Sequence, residues 1–169
     1  LGGDEYKISF DYGIGEIPKD ENNENITSKN IKYGDVITFT STNPKKVTFL
    51  EEEYMPYEET PRWYWTPQKV EGSQEIENGV TKYEIKGNST IHQIHKAKTY
   101  RVTFYSDLTI KATKSTVSGE YGSSIAFPDL PEGTSAWYLM FVGEGAQTVI
   151  GTEFTETTMP PVNISVYAK

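Results

Sequence analysis

The fold depends on a five-residue pattern that occurs twice, at residues 6–10 (YKISF) and at residues 100–104 (YRVTF). In both copies a tyrosine is followed by a cation, a β-branched residue, a hydroxyl residue and a phenylalanine. Apolar and polar residues alternate with a period of two, which is typical of a strand with one buried face. Each half of the chain is therefore predicted to begin with such a strand.

Three further landmarks follow each pattern in the same order. They are a Tyr-Gly step that opens a strand with prolines close behind it (residues 33–39 and 121–127), a Trp-Tyr strand (62–65 and 136–141), and a β-rich run ending in Ala-Lys (91–98 and 164–169). The spacing between matching landmarks falls from 94 residues (Tyr6 to Tyr100) to 74 (Trp63 to Trp137) and 71 at Ala-Lys. A preserved order with a steadily falling spacing indicates an internal repeat. The first copy is longer because it carries extra residues at 21–30 and 51–61, and surface loops tolerate such insertions at little entropic cost.

The repeat predicts two tandem domains, residues 1–97 and residues 98–169. Gly or Pro separates short strand-like blocks in both, and no long stretch has an apolar period of 3.6 residues. The nearest candidates for short helices are residues 52–60 and 152–158. Because aromatic side chains bury the most apolar area, they are the predicted core residues of these small domains: Phe10, Trp63, Phe104, Phe127 and Trp137.

Composition narrows the class of protein. The 169 residues include no cysteine, two histidines, 16 basic and 24 acidic residues, for a net charge of −8. The chain therefore has no disulfide framework, no thiolate metal site and no cysteine nucleophile, and its negative charge argues against binding nucleic acid. We expect no cofactor and no metal. We also expect no membrane insertion of this chain, since no apolar stretch reaches the length of a membrane span.

The landmarks together resemble a known family. The Val102-Thr103-Phe104 strand, the Tyr121-Gly122 step, the spaced prolines Pro128 and Pro131, the Trp137-Tyr138 strand and the closing residues 166–169 (VYAK) are similar to the Listeria–Bacteroides repeat, the B-repeat of internalin-type bacterial surface proteins. The first copy matches at its first strand, at Tyr33-Gly34 and at Trp63-Tyr64. It departs from the family at Arg62, where the family has glycine, and at His95, where it prefers tyrosine.

This resemblance implies a mainly β or α+β chain of two small β-grasp (ubiquitin-like) domains. An immunoglobulin-like β-sandwich is the alternative for either half, most of all for the larger first one. The resemblance also implies an exported bacterial cell-surface protein, located outside the cell, and it brings no catalytic residues with it.

The aromatic strands are the candidate binding residues: Trp63, Tyr64, Trp65, Trp137 and Tyr138. Rigid aromatic side chains can stack on sugar rings or anchor a protein partner. The alternative is ordinary core packing. In a strand, Trp63 and Trp65 point to one face and Tyr64 to the other.

The remaining polar residues carry weaker signals. The acidic stretches 51–53 and 58–59 lack the spacing of a calcium loop and are interpreted as a solvated surface. His92 and His95 lie three apart in a predicted strand, so they face opposite sides and are interpreted as surface histidines. No Ser-His-Asp arrangement can be argued from the sequence. Sequons at Asn25, Asn88 and Asn163 are read as coincidental in a bacterial protein.

We therefore expect a non-enzymatic, monomeric adhesion or stalk module, whose partner is a host or cell-wall protein or a glycan. The alternative is a carbohydrate-binding accessory domain of a secreted glycan-degrading enzyme.

Overall fold

Strands form throughout the described residues, which are 4–33, 35–38, 41–66, 80–84, 87–145 and 147–169 of the computed structural model. Numbered in chain order, the strands are β1 (Glu5–Asp11), β2 (Ser28–Lys32), β3 (Val36–Thr38), β4 (Val47–Phe49), β5 (Glu52–Tyr54), β6 (Arg62–Thr66), β7 (Val80–Glu84), β8 (Ser89–Ile94), β9 (Thr99–Tyr105), β10 (Lys114–Glu120), β11 (Trp137–Val142) and β12 (Ile164–Ala168). None of these residues is helical, so the prediction of mainly β structure is confirmed. The segments 52–60 and 152–158 consist of strand, bridge and irregular residues rather than short helices. Within the described part of the chain there is also no apolar helix of the length that a membrane crossing requires.

The first four-stranded sheet has the order β2-β1-β8-β6. Strand β1 is antiparallel to β2 and parallel to β8, and β8 is antiparallel to β6. The first and last strands of the sheet in chain order are thus adjacent and parallel at its centre. A separate two-stranded sheet pairs β3 with β7.

The second four-stranded sheet has the order β10-β9-β12-β11 and the same directions of pairing. Strand β9 is antiparallel to β10 and parallel to β12, and β12 is antiparallel to β11. Each strand therefore has a counterpart in the first sheet, and the two YxxxF patterns lie in the counterpart strands β1 and β9.

The strand registers define which residues correspond. Trp63 pairs with Gln93 as Trp137 pairs with Ala168, and Tyr64 pairs with His92 as Tyr138 pairs with Tyr167. Ala97 lies after the end of β8, whereas Ala168 lies within β12. The match between the two Ala-Lys steps is therefore wrong: by register, the counterpart of Ala168 is Gln93, and that of Tyr167 is His92 rather than His95.

Both sheets bury one face, as their alternating sequences predict. The first core contains Ile8, Phe10, Tyr12, Trp63, Trp65 and Ile91. The second core contains Val102, Phe104, Ile125, Trp137, Leu139, Phe154, Met159, Ile164, Val166 and Ala168. Of the predicted core residues, four are buried, but Phe127 is 40% exposed. Phe127 lies outside the strands and contacts Phe104 edge-on with ring centroids 5.6 Å apart, so it sits at the rim of the core.

The chain forms two compact units that differ from a simple division at residue 97. The first unit contains residues 1–45 and 58–96, and the second contains residues 46–57 and 97–169. The β4–β5 hairpin, which belongs to the predicted domain 1–97, is part of the second unit, where Phe49 packs against the second core. The hairpin segment is held there by the backbone hydrogen bond from Lys98 to Pro56 and by the edge-on contact of Tyr57 with Tyr121.

Candidate functional site

The candidate aromatic residues divide between the two faces of their sheets. Trp63 and Trp65 are each 6% exposed and Trp137 is 8% exposed, so all three lie in the cores. A surface platform built from the tryptophans is therefore not what the structure forms. Tyr64 is 37% exposed and Tyr138 is half-buried, because strand alternation turns both away from the cores. Only the two tyrosines among these candidates reach the solvent.

The face of the first sheet that carries Tyr64 is called here the outer face. Polar residues of neighbouring strands lie side by side on it. The register of β1, β8 and β6 produces two rows across the sheet, Asp11–His92–Tyr64 and Ser9–Thr90–Thr66. Neighbouring positions in a row lie about 5 Å apart, and the rows are about 7 Å apart along the strands.

A chain of hydrogen bonds fixes the His92 ring on this face. His92 Nδ1 lies 2.8 Å from Asp11 Oδ2, and His92 Nε2 lies 2.7 Å from Thr66 Oγ1. Because a carboxylate only accepts, Nδ1 donates to Asp11. Nε2 can pair with the Thr66 hydroxyl in either protonation state of the ring, since a hydroxyl both donates and accepts.

Tyr64 stacks on this immobilised ring. The centroids of Tyr64 and His92 are 4.5 Å apart and their planes are inclined by only 8°. Tyr64 belongs to β6, which lies at one end of the strand order β2-β1-β8-β6.

Asp11 is held in its ionised form. The Gly13 backbone N–H donates to Asp11 Oδ1 at 2.9 Å, and this hydrogen bond, together with the one from His92, lowers the pKa of the Asp11 carboxyl below its ordinary value. A carboxylate that accepts two hydrogen bonds is stabilised in its charged form.

Beside the stack lies an open groove of about 330 Å³, called here the first groove. It is lined by Lys7, Ser9, Thr66, Asn88, Ser89 and Thr90. Hydroxyl groups and one amide dominate this lining, and Lys7 is the charged member among the described lining residues. No ion pair of the Lys7 ammonium is present in the described part of the chain.

An asparagine side chain makes the same hydrogen bond at the corresponding position of both units. The side chain of Asn88 accepts a hydrogen bond from the Lys7 backbone N–H at 2.8 Å, and the side chain of Asn163 accepts one from Arg101 at 2.9 Å. Each asparagine directly precedes the last strand of its sheet. The asparagines of two of the three sequons thus occupy corresponding positions in the two sheets, where each amide satisfies a backbone donor beyond the end of the parallel ladder.

The second sheet has a corresponding polar groove of about 270 Å³, lined by Arg101, Thr103, Tyr105, Lys114, Thr116, Gly143, Glu144, Asn163, Ile164 and Ser165. Here the cation that corresponds to Lys7, Arg101, is paired with Glu144. Tyr105 and Tyr167 stand at the positions of Asp11 and His92, so the hydrogen-bonded chain is a property of the first unit. Tyr138 contacts Tyr167 at a tilt and lies 5.6 Å from the Lys169 ammonium.

The other histidine is buried, so the interpretation of His95 as a surface residue is wrong. His95 is 5% exposed, and its Nδ1 and Nε2 lie 2.9 Å from the Glu58 carbonyl oxygen and 3.0 Å from the Thr42 carbonyl oxygen. Carbonyl oxygens only accept, so both hydrogen bonds form together when both ring nitrogens carry a proton. His92 lies in β8 on the outer face, whereas His95 follows the end of β8 and is buried, so the two do not share one strand as predicted.

Gln93 forms a second buried polar contact under the sheet. Its amide nitrogen donates to Thr42 Oγ1 at 2.9 Å, and its oxygen accepts from the Thr42 backbone N–H at 2.9 Å. A Cβ on Gly15 would lie 2.3 Å from this amide nitrogen, which explains the need for glycine there. The hydrogen bonds between Gln93 and Thr42 have a structural role and lie on the side of the sheet opposite the first groove.

The acidic stretches do not form a metal centre among the described residues, which contain no cluster of three or more His, Asp or Glu side chains able to hold an ion. Residues 52–54 form β5, and Glu52 and Glu53 are exposed.

Sequence reasoning missed the outer-face residues Asp11, Thr66 and Asn88. Each is a common surface residue, and the three lie on or beside different strands, so no local spacing connects them. The one available signal is the shared N-x-S/T pattern at residues 88–90 and 163–165, which marks the same place in both copies.

Comparison of the chain with family models, with curated proteins and with solved structures yields no match.

Proposed function

We propose that the chain is a non-enzymatic adhesion or stalk module of an exported bacterial cell-surface protein, built from two copies of one β-grasp unit. The observation that carries this proposal is the common topology of the two four-stranded sheets, with the first and last strands adjacent and parallel at the centre of each. The resemblance of the strand and turn motifs to the surface-protein repeat points to the same class of protein.

The sheet order favours a β-grasp over an immunoglobulin-like sandwich. A sandwich needs two antiparallel sheets packed face to face, whereas each unit here has one four-stranded mixed sheet. In the second unit, the inner face of that sheet is covered by Ile125, Phe154 and Met159 from connecting segments.

This topology suits a module that bears tension. When the two ends of a unit are pulled apart, its parallel first and last strands are drawn in opposite directions along their length. The hydrogen bonds of the parallel pair are then loaded together rather than one after another. In the second unit this pair is β9 and β12, which start and end the run 99–168.

Single-molecule pulling of the full chain tests the proposal. The chain contains no cysteine, so handles can be attached to introduced ones. Handles at Lys98→Cys and Lys169→Cys load β9 against β12 in shear. Handles at Ser135→Cys and Lys169→Cys load the antiparallel pair β11 and β12 from one end, since Trp137 and Ala168 are partners.

We expect the second unit to unfold at a clearly higher force in the shear arrangement than in the unzipping arrangement. Equal forces would contradict a load-bearing role. Surface localisation is tested separately, by protease treatment of intact cells that produce the protein: cleavage before lysis is expected, and protection until lysis would contradict export.

A carbohydrate-binding accessory domain is the second candidate. The first groove favours it, because hydroxyl groups and the amide of Asn88 line it. A catalytic domain in the same full-length protein would support this candidate over a stalk.

A further inference from the structure

The second sheet has an open edge at β10. This strand is the first in the order β10-β9-β12-β11, so it pairs with β9 on one side only. The Ser106 N–H donates to the Thr113 carbonyl oxygen just before β10, and the Tyr121 N–H donates to the Lys98 carbonyl oxygen just after it. Hydrogen-bonded pairs alternate along an antiparallel ladder, so the odd-numbered residues of β10 bond to β9 and the even-numbered residues face outward.

The outward-facing backbone groups can accept another strand. They belong to Lys114, Thr116, Ser118 and Glu120, all of which are exposed. In the described part of the chain, no further strand or isolated bridge pairs with these residues. The Glu120 carbonyl oxygen alone is occupied, by the Ser123 N–H at 3.0 Å. Such a row of edge groups is a template for pairing with another chain.

The sequence of β10, KSTVSGE at residues 114–120, is complementary to itself in the antiparallel direction. Two copies that pair about Val117 place Lys114 of each opposite Glu120 of the other. The same register places Thr116 opposite Ser118. Opposite charges and paired hydroxyl side chains are both cross-strand neighbours that stabilise a sheet. The register also aligns the backbone groups, because every residue that faces outward then lies opposite another one.

Val117 lies on the two-fold axis of this arrangement. It is half-buried and packs against the second core. At the axis it meets Val117 of the other copy in a non-hydrogen-bonded pair, in which Cα atoms lie about 4.5 Å apart and the side chains are close. A register shifted by two residues keeps the hydrogen-bonding pattern but separates Lys114 from Glu120. The charges therefore favour pairing about Val117.

The corresponding edge of the first unit lacks this complementarity. Strand β2, with the sequence SKNIK, is the first in the order β2-β1-β8-β6. It contains Lys29 and Lys32 and no acidic residue, so two copies of β2 would bring together cations without a compensating carboxylate. Lysines on an edge strand discourage pairing in this way. Self-complementarity thus distinguishes β10 from its counterpart.

We propose that two copies of the chain associate by antiparallel pairing of their β10 strands about Val117, which joins their second sheets into one. The interface is symmetric, since each copy contributes the same strand. One strand pair is a small interface, so the dimer is weak and forms at high local concentration. Physiological salt screens the repulsion between two negatively charged copies beyond about 8 Å. The inference replaces the expectation of a monomer, and it goes beyond the adhesion or stalk role without depending on it.

Sedimentation velocity of the full chain at physiological salt tests the association, from about 10 μM to about 1 mM, the range of a weak interface. We expect a dimer that grows with concentration. Thr116→Pro removes an outward N–H that β9 does not use, and proline is tolerated at such positions of edge strands. This variant should stay monomeric with little change in melting temperature.

Charge variants test the register. Lys114→Glu and Glu120→Lys each place like charges opposite one another in a homodimer, and each should raise the dissociation constant about tenfold. An equimolar mixture of the two variants restores opposite charges at both positions, so it should associate more tightly than either variant alone. Lys29→Glu makes the same charge change on β2 as Lys114→Glu does on β10. It is the matched control and should leave the association nearly unchanged.

Cross-linking locates the axis directly, because the chain contains no cysteine of its own. Under mild oxidation, Val117→Cys should form a disulfide-linked dimer, since the two Cα atoms lie within disulfide range. Ser115→Cys is the control. Its two copies lie about 13 Å apart along the paired strands, so it should cross-link far more slowly.

Three results would overturn the inference: a chain that is monomeric throughout the concentration range, association as strong in Thr116→Pro as in the parent, or a mixture of the charge variants no tighter than its components. If Thr116→Pro lowers the melting temperature, the charge variants decide, because they change only exposed side chains. None of these results affects the pulling experiment, which depends on β9 and β12 within one chain. Failure of the dimer and failure of the load-bearing role are therefore distinguishable.

Discussion

At the scale of single residues, the polar groups of the first unit serve two purposes. On the outer face, Asp11, His92 and Thr66 form a hydrogen-bonded chain that orients a tyrosine. On the buried face, His95 and Gln93 satisfy backbone groups that would otherwise be left without partners. The two sets differ in solvent access, so they should respond differently to substitution.

Asp11 should contribute to stability in a pH-dependent manner. Because the folded protein lowers its pKa, the contribution is complete above the ordinary value of 3.8 and is lost as the pH falls through the lower folded value. We expect Asp11→Asn to be less stable than the parent in urea unfolding at neutral pH. The difference should close in strong acid. A difference that stays constant across this range would argue against the hydrogen-bonded carboxylate.

His95 should matter more than His92 for stability. In His95→Phe the carbonyl groups of Thr42 and Glu58 lose their buried donor, which costs about 1–3 kcal/mol. In His92→Phe the abandoned partners, Asp11 and Thr66, can bind water instead. Urea unfolding of the two variants measures the difference, and equal losses would contradict this assignment of the two faces.

At the scale of elements, the β4–β5 hairpin has an unfavourable turn. Its two turn residues, Leu50 and Glu51, have φ angles of 48° and 66°. Two-residue hairpins with both φ angles positive prefer glycine or asparagine, since a side chain is strained in this region.

Glu51→Gly should therefore stabilise the protein, by about 1 kcal/mol. The measurement is the melting temperature or the midpoint of urea unfolding. Glu53→Gly is the control, because it places the same glycine within β5, where it should be destabilising by about 0.5–1 kcal/mol. A loss of stability from Glu51→Gly would show that the turn is held in another conformation.

At the scale of the whole molecule, the two units do not follow one another as uninterrupted segments. The chain leaves the first unit after Lys45, contributes residues 46–57 to the second, and returns to the first at Glu58. The acidic stretch that enlarges the first repeat is thus largely a structural part of the second.

Phe49→Ala tests this exchange. Although Phe49 precedes the Trp63 strand in the chain, its loss should destabilise the second unit, by about 1–3 kcal/mol for a half-buried aromatic ring. Amide hydrogen exchange is expected to accelerate at Val102 and not at Ile8. Ile31→Ala, which removes a half-buried side chain from the first core, should have the opposite pattern. Acceleration at Ile8 in Phe49→Ala would place the hairpin in the first unit.

Much of the fold could be predicted because it is local. The period of two in residues 6–10 and 100–104 determines which side chains turn inward, and Ile8, Phe10, Val102 and Phe104 are all buried as a result. The Ala-Lys match failed because a two-residue step contains no register information. The site was missed because Asp11, Thr66 and His92 meet only after three strands, separated by tens of residues, come together.

The sequence by itself determined the β class, the repeated strand pattern and the inward face of each strand, since these follow from alternation between neighbouring residues. Only the tertiary structure decided which strands are neighbours, that a hairpin of the longer copy completes the second unit, and that the tryptophans lie inside while Tyr64 lies outside beside a groove. Those outcomes depend on pairing between strands far apart in the chain, and the local pattern of a strand is compatible with many such partners.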